Sequence, residues 1–202
     1  MRKEDVRQSL FEVWEDTFCI GNGGIVSYPD GKTYFVTAKH LAFRGEKPRN
    51  LMLHSATGRR LTENEIHFQG IQGRDLALAQ APSSLRGLSI ASFFETGSYI
   101  SMLGSLYREL FAFNVRIVYA GKELFAAMPM GRREGIQSSK AQTFHYIVTN
   151  PDNPIFPGTS GSLLLDRDNK VIGIQSGTTW GEKFPFGVYN FGEVLSNKRE
   201  RF

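Results

Sequence analysis

The chain predicts an all-β fold, and three observations carry that expectation. From Phe18 onward the apolar residues come in short runs, each closed by a turn signal, rather than in long helical stripes. The 202 residues include 21 glycines and 16 phenylalanines, a combination that suits tight turns between aromatic-rich strands better than a helical bundle. The runs recur at even spacing through both halves of the chain, the pattern of an antiparallel sandwich or barrel.

The first residues differ from the rest. Val6, Leu10, Val13 and Trp14 fall on one helical face, so residues 4 to 16 read as a short amphipathic helix within an N-terminal segment 1–17. Phe18-Cys19-Ile20 and Gly23-Gly24-Ile25-Val26 follow. Pro29-Asp30-Gly31-Lys32 then sits between two apolar runs, which predicts a hairpin turn. Its second arm, Thr33 to Ala38, is β-branched and aromatic. Further strands are expected at Leu51 to His54, Glu65 to Phe68 and Leu76 to Ala79, completing a first unit over 18–82. Residues 83–98, with paired serines and two glycines, connect to a second unit over 99–202. Its expected strands are Tyr99 to Leu103, Asn114 to Tyr119, Glu123 to Ala127, Phe144 to Thr149, Leu163 to Leu165 and Val171 to Gln175.

Composition excludes several classes. Hydrophobic residues at 41% and charged residues at 22% are globular values, not those of a disordered chain. The net charge of +4 is spread thinly, with short clusters at Arg59-Arg60, Arg132-Arg133 and Lys198 to Arg201. Nucleic acid is therefore not an expected partner. A single cysteine, Cys19, permits neither an intrachain disulfide nor a Cys/His zinc set, and fits a reducing compartment. No signal-like segment opens the chain and no apolar stretch approaches the ~18 residues of a spanning helix, so a soluble, cytoplasmic protein away from membranes is expected. No Gly-x-Gly-x-x-Gly or Walker-type loop is present, so no cofactor and no metal are expected.

Three motifs carry chemistry. Phe35-Val36-Thr37-Ala38-Lys39-His40 is an apolar strand ending in a small residue and a histidine. Gly73-Arg74-Asp75-Leu76-Ala77-Leu78 sets an aspartate at the mouth of an apolar strand. Pro157-Gly158-Thr159-Ser160-Gly161-Ser162 places a serine between glycines before Leu163-Leu164-Leu165. A serine on such a turn can be held with its hydroxyl exposed, while glycines let backbone N–H groups converge as an oxyanion hole requires. Each motif alone is weak, since such histidines pack, such aspartates cap turns and such serines sit in plain turns. The order His40, Asp75, Ser160, with gaps of 35 and 85 residues, is what makes them informative together.

On these residues the sequence resembles the chymotrypsin-like, or trypsin-like, serine peptidase superfamily. Thr37 to His40 is similar to its Thr-Ala-Ala-His, Asp75 to Leu78 to its Asp-Ile-Ala-Leu, and Gly158 to Gly161 to its Gly-Asp/Asn-Ser-Gly. Val171 to Ile174 with Ser176-Gly177 resembles the strand that lies along the substrate, and Phe186 to Tyr189 the segment behind the primary pocket. In style the chain is closest to the disulfide-free bacterial HtrA-type and glutamyl endopeptidase-like branches. The resemblance implies two antiparallel six-stranded β-barrels, with His40 and Asp75 from the first and Ser160 from the second. It implies a Ser-His-Asp triad and an oxyanion hole at the N–H groups of Gly158 and Ser160. It also implies substrate contacts at Ile155, Phe156, Ser176, Gly177, Thr178 and Gly187. None of the expected pocket residues is acidic, and Gln175 stands where the glutamyl enzymes have histidine, so an uncharged residue before the cut is expected. Thr159 stands where digestive enzymes have the aspartate that receives a new N-terminus, so regulation by loop ordering or a partner protein is expected instead. His54 and His67 read as ordinary surface or strand histidines, whereas His145 lies on a strand leading to the nucleophile loop. The resemblance implies a serine endopeptidase cleaving protein or peptide substrates. The alternatives are a catalytically silent module of the same fold used for protein binding, and a basic nucleic-acid-binding barrel.

Overall fold

The hairpin at Pro29-Asp30-Gly31-Lys32 forms as the sequence predicts in a computed structural model describing residues 3–62, 65–91, 97–121, 143–149, 155–178 and 190–195. Gly31 takes φ +81° at the turn, Gly31 N–H donates to Tyr28 O at 3.0 Å, and Asp30 Oδ1 accepts from Lys32 N–H at 3.0 Å. The turn joins β2 (Phe18–Ser27) to β3 (Thr33–Thr37).

The N-terminal segment corrects the sequence reading. Helix α1 covers only Lys3–Gln8, and Leu10–Glu15 is a strand, β1. β1 lies between β2 and β6 (Met52–Ser55), pairing Phe11 with Gly23 and with Ser55. Leu10, Phe11, Glu12 and Val13 are all buried because both faces of the strand are covered. A strand buried on both faces loses its two-residue alternation, and the remaining apolar spacing then imitates a helix.

The rest of the first half comprises α2 (Lys39–Ala42), the small hairpin β4 (Phe43–Arg44) and β5 (Lys47–Pro48), β7 (Arg60–Leu61), β8 (Gln69–Gly70), β9 (Ala77–Gln80) and β10 (Leu88–Ser89). Its main sheet has eight strands, ordered β7-β6-β1-β2-β3-β9-β8, with β10 beside β2 in parallel. The resemblance implies six strands and the sheet has eight: β1, β2, β3, β6 and β9 with four or more residues each, and β7, β8 and β10 as two-residue pairings too short to leave a periodic signal. Glu65 to Phe68, expected as a strand, is not one, and Glu65 N–H donates to Thr62 O at 2.9 Å. There the Glu65 carboxylate accepts from Thr62 N–H at 2.9 Å.

The second half is a closed six-stranded barrel. Its strands are β11 (Tyr99–Leu106), β12 (Glu109–Gly121), β13 (Thr143–Val148), β14 (Leu163–Leu165), β15 (Val171–Thr178) and β16 (Asn190–Val194), in the order β11-β12-β13-β16-β15-β14. Glu123 to Ala127 lies outside the described residues. The fold is thus all-β with a short N-terminal helix.

Two apolar cores fill the halves, but the first crosses between them: Leu163, Leu165, Val171, Ile174 and Leu195 of the second half belong to the same cluster as Phe35, Val36 and Leu78. Glu12 fixes the register of that contact. It is 1% exposed, and its carboxylate accepts from Trp14 Nε1 at 2.9 Å, from Ser105 Oγ at 2.8 Å and from the Arg108 N–H. Replacing Glu12 by alanine leaves the buried Ser105 hydroxyl and two part-buried donors without their acceptor, at ~1–3 kcal/mol for a fully buried group and less for the others. Glu12→Ala is expected to lower stability by about 3 kcal/mol and Tm by roughly 6–12 °C. Calorimetry checks this, and a fall under ~2 °C would remove Glu12 as the register contact.

Candidate active site

β3 delivers the chain to Ala38, whose extended backbone starts the one-turn helix α2. Leu41 and Ala42 are buried, which pins the turn and leaves the His40 side chain 48% exposed. Just before the neighbouring strand β9, the fully buried Leu76 anchors the loop that carries Asp75, and Gly73 makes its bend at φ +70°. The two loops meet at the Asp75 carboxylate. Its Oδ1 accepts the His40 backbone N–H at 2.9 Å and its Oδ2 lies 2.8 Å from His40 Nδ1. The Ser176 hydroxyl of β15 donates to the same Oδ2. Burial alone raises the Asp75 carboxyl, but the His40 ring, the Ser176 hydroxyl and the His40 N–H outweigh it and hold it below the usual carboxylate range. An ionised Asp75 assigns the imidazole proton to Nδ1 and leaves Nε2 as an acceptor.

Ser160 comes from the other half, on a turn tied at every residue. Thr159 Oγ1 donates to Phe156 O at 3.0 Å, Ser162 N–H to Thr159 O at 3.0 Å, and Gly161 N–H to Gln175 O at 2.6 Å. Gly161 is at φ +81°, and a Cβ there would lie 1.9 Å from Asn22 O. Ser160 Oγ is 3.5 Å from Ser176 O, so Ser176 touches Ser160 through its carbonyl and Asp75 through its hydroxyl. Among the described residues, His40 and Ser160 share no hydrogen bond, and the N–H groups of Gly158 and Ser160 have no acceptor. Gly158 is at φ +96°.

Two positioning groups went unread in the sequence. Asn22, fully buried on β2, spans both halves. Its Nδ2 donates to Gly158 O at 2.7 Å, its Oδ1 accepts Ser105 N–H at 2.7 Å, and its N–H donates to Ser160 O at 2.7 Å. Its own carbonyl accepts Thr37 Oγ1 at 2.6 Å. The signal was present: one polar side chain inside the run Gly21 to Val26. The other group is the ion pair of Arg74 and Glu193, with side chains 8% and 4% exposed. Arg74 Nε donates to Glu193 Oε2 at 2.9 Å, and Asp75 N–H donates to Glu193 Oε1 at 3.2 Å. Burial pushes Glu193 above the usual carboxylate range, with Arg74 and the Asp75 N–H pulling against it.

The remaining expected contacts are dispersed. Ile155 is buried and Phe156 packs on Phe111 and Phe113, with ring centroids 5.2 and 5.9 Å apart. Both side chains therefore belong to the second core and anchor the Ser160 turn. Gln175 also points inward, accepting from Tyr146 OH and donating to Gly177 O at 3.1 Å. Gly177 and Thr178 end β15. Gly187, with Phe186 and Val188, lies outside the described residues, as does the His145 side chain. His54 is buried and stacked on Trp14, with centroids 5.0 Å apart, and burial with nearby Arg60 lowers its pKa. His67 lines a separate hollow with Ile66 and Phe68. Burial and the Glu12 carboxylate push the Cys19 thiol up to about 11, so it stays protonated at neutral pH. Among the described residues no His/Cys/Asp/Glu cluster could hold a metal, and no helix is long and apolar enough to cross a membrane.

With a closed six-stranded barrel beside a curled sheet, and a His–Asp pair facing a serine turn, the chain belongs to the trypsin-like peptidase domain family, whose model matches residues 21–174. Among solved structures it is similar to the MamO protease domain of Magnetospirillum magneticum, at 16% identity and a TM-score of 0.63, covering 96% of this chain and 94% of that one. It is similar to an inactive form of the Rv3671c protease of M. tuberculosis, at 17% identity and a TM-score of 0.62, covering 95% and 83%. A human astrovirus serine protease matches at 12% identity and a TM-score of 0.61, covering 94% and 91%. At such identities the likeness is one of fold. No curated protein matches the chain in sequence.

Gly161→Ala is expected to disrupt the Ser160 turn, because a positive φ costs roughly 1–2 kcal/mol in any L residue and the new methyl meets the Asn22 carbonyl. Thermal unfolding should show Tm lower by at least ~4 °C; an unchanged Tm would mean that the turn tolerates the side chain. The lowered Asp75 pKa has a defined sign. Its contribution to stability is present above the unfolded value near ~3.9 and is lost as pH falls through the folded value. Asp75→Asn should thus be less stable than the parent at pH 7, with the gap closing in strong acid. Denaturant titrations at both pH values check this, and a gap independent of pH would refute it.

Proposed function

We propose that the chain is a serine endopeptidase working through Ser160, His40 and Asp75. The observation that carries this reading is the His40–Asp75 pair at 2.8 Å, joined through Ser176 to the Ser160 turn. His40 Nε2 accepts the Ser160 proton as Oγ, turned away from the Ser176 carbonyl, attacks a peptide carbonyl. The charge that develops on the carbonyl oxygen is met by the N–H groups of Gly158 and Ser160. His40 then gives its proton to the leaving amine, and water, deprotonated in turn by His40, hydrolyses the acyl-enzyme. Asp75 holds the ring in one tautomer and stabilises its cationic form. Substrate is protein or peptide, with an uncharged side chain before the cut, since Ser176 and Gly177 bring no charge to that side. Thr159 offers its hydroxyl to Phe156 O and has no carboxylate for a new N-terminus, which supports control by loop ordering or a protein partner.

One observation favours a second reading, the catalytically silent binding module: Ser160 Oγ bonds the Ser176 carbonyl rather than His40. Catalytic hydrogen bonds often tighten only once substrate is bound, so this geometry fits both readings. A fluorophosphonate probe separates them. Covalent labelling at Ser160 is expected, absent in Ser160→Ala and slowed ~10⁴-fold or more in His40→Ala. Failure of the folded chain to label at Ser160, alone and with lysate supplying a partner, leaves the binding module.

A further inference from the structure

We propose that Glu193, anchored by Arg74, is a positioning residue: from the second barrel it holds the backbone of Asp75, so that the His–Asp pair is set only when the two halves are docked. This rests on the reading of His40, Asp75 and Ser160 as a triad.

The two ends of Asp75 are gripped from adjacent strands of one barrel. On β15 the Ser176 hydroxyl takes the Asp75 carboxylate. On β16, paired antiparallel with β15 through Ile174 and Glu193, the Glu193 carboxylate takes the Asp75 N–H at 3.2 Å. Glu193 is itself fixed. Its second oxygen accepts Arg74 Nε at 2.9 Å, and Arg74 Nη2 donates to Val194 O one residue further along β16. Arg74 and Asp75 are sequence neighbours, so a guanidinium and a peptide N–H from one short loop dock together on one strand of the opposite half. His40, by contrast, is carried wholly by the first half and meets Ser160 only across the junction. Its orientation relative to Ser160 is set by Asp75, and that of Asp75 by the second barrel, which also carries Ser160. The charged groups facing Glu193 are Arg74 and Asp75.

The pair is a poor candidate for simple stabilisation. Desolvating two charges offsets most of their attraction, and apolar replacements of both partners are often tolerated, whereas removing one partner leaves a buried charge. The experiment therefore changes both. Arg74→Met with Glu193→Met keeps the volume and removes the acceptor for the Asp75 N–H, whereas Glu193→Gln keeps one amide oxygen for the Asp75 N–H. Two readouts are used: the rate of Ser160 labelling by a fluorophosphonate, and the downfield proton resonance of the His40 Nδ1–H···Asp75 bond.

The double variant is expected to label ~10²-fold more slowly, as a misplacement of about 1 Å does, at a Tm within a few degrees of the parent. Its His40 proton resonance should broaden or shift upfield, and Glu193→Gln should recover labelling to within ~3-fold of the parent. A folded double variant with parental labelling and an unchanged resonance overturns the proposal. Should the double variant not fold, Arg74→Gln with Glu193→Met carries the test, since it leaves no unpaired buried charge, lets the new amide donate to Val194 O and still removes the acceptor for the Asp75 N–H. A parental rate and resonance there overturn the proposal equally. If the parent itself never labels at Ser160, the peptidase reading fails while the resonance still decides whether Glu193 holds the His–Asp pair.

Discussion

One amide holds the two halves in register, and the site exists because of it. Asn22 is fully buried and spends its side chain and its main-chain N–H on the opposite half: Gly158 and Ser105 through Nδ2 and Oδ1, Ser160 through the N–H. A buried amide has two donors and an acceptor that must find partners inside the protein. Apolar burial pushes the halves together without choosing an angle, because it is non-directional. Hydrogen bonds of 2.7 Å choose it. The close approach needs room, and Gly104 supplies it: a Cβ there would sit 2.9 Å from Asn22 Oδ1.

Asn22 does not act alone. Glu12 and Glu193 are buried carboxylates at the same junction, and each divides its oxygens between partners. The three are spread along the contact, at the β11–β12 hairpin, at the Ser160 turn and at the Asp75 loop. Between them lies the shared apolar cluster of Val36, Leu78, Leu163 and Ile174. Driving force and specificity are thus separated: the cluster supplies the first, the three polar hubs the second. The division matters because the proposed chemistry is split across the same plane, with the imidazole and carboxylate on one side and the hydroxyl on the other.

What was legible in the sequence was local. Pro29 to Lys32 announced its hairpin because an Asx turn and a left-handed glycine need nothing beyond the turn itself. Leu163 to Leu165 reads as a strand and is one, since three buried leucines on a short run have few other uses. His40, Asp75 and Ser160 could be proposed from the sequence because each stands in a short motif. Residues 4 to 16 misled, because β1 is covered on both faces and its polar Glu12 is inside. Ile155 and Phe156 were expected along a substrate; their rings and methyls turn into the second core, where Phe111 and Phe113 wait. Nothing local distinguishes a pocket wall from the anchor of a loop.

The sequence by itself determined the class of the fold, the strand-forming runs, the tight turns and the order of the three residues on which the chemistry is proposed to rest. These depend on periodicity, turn geometry and short motifs, all of which act over a few residues. Only the tertiary structure decided that Ser176 reaches Asp75 across 101 residues of chain, that Asn22 reaches Gly158 across 136, and that Glu193 receives the Asp75 N–H across 118. Such contacts carry no periodic signature. They are fixed by which buried donors and acceptors are left to satisfy once two sheets have closed on one another, and that becomes defined only when the halves have met.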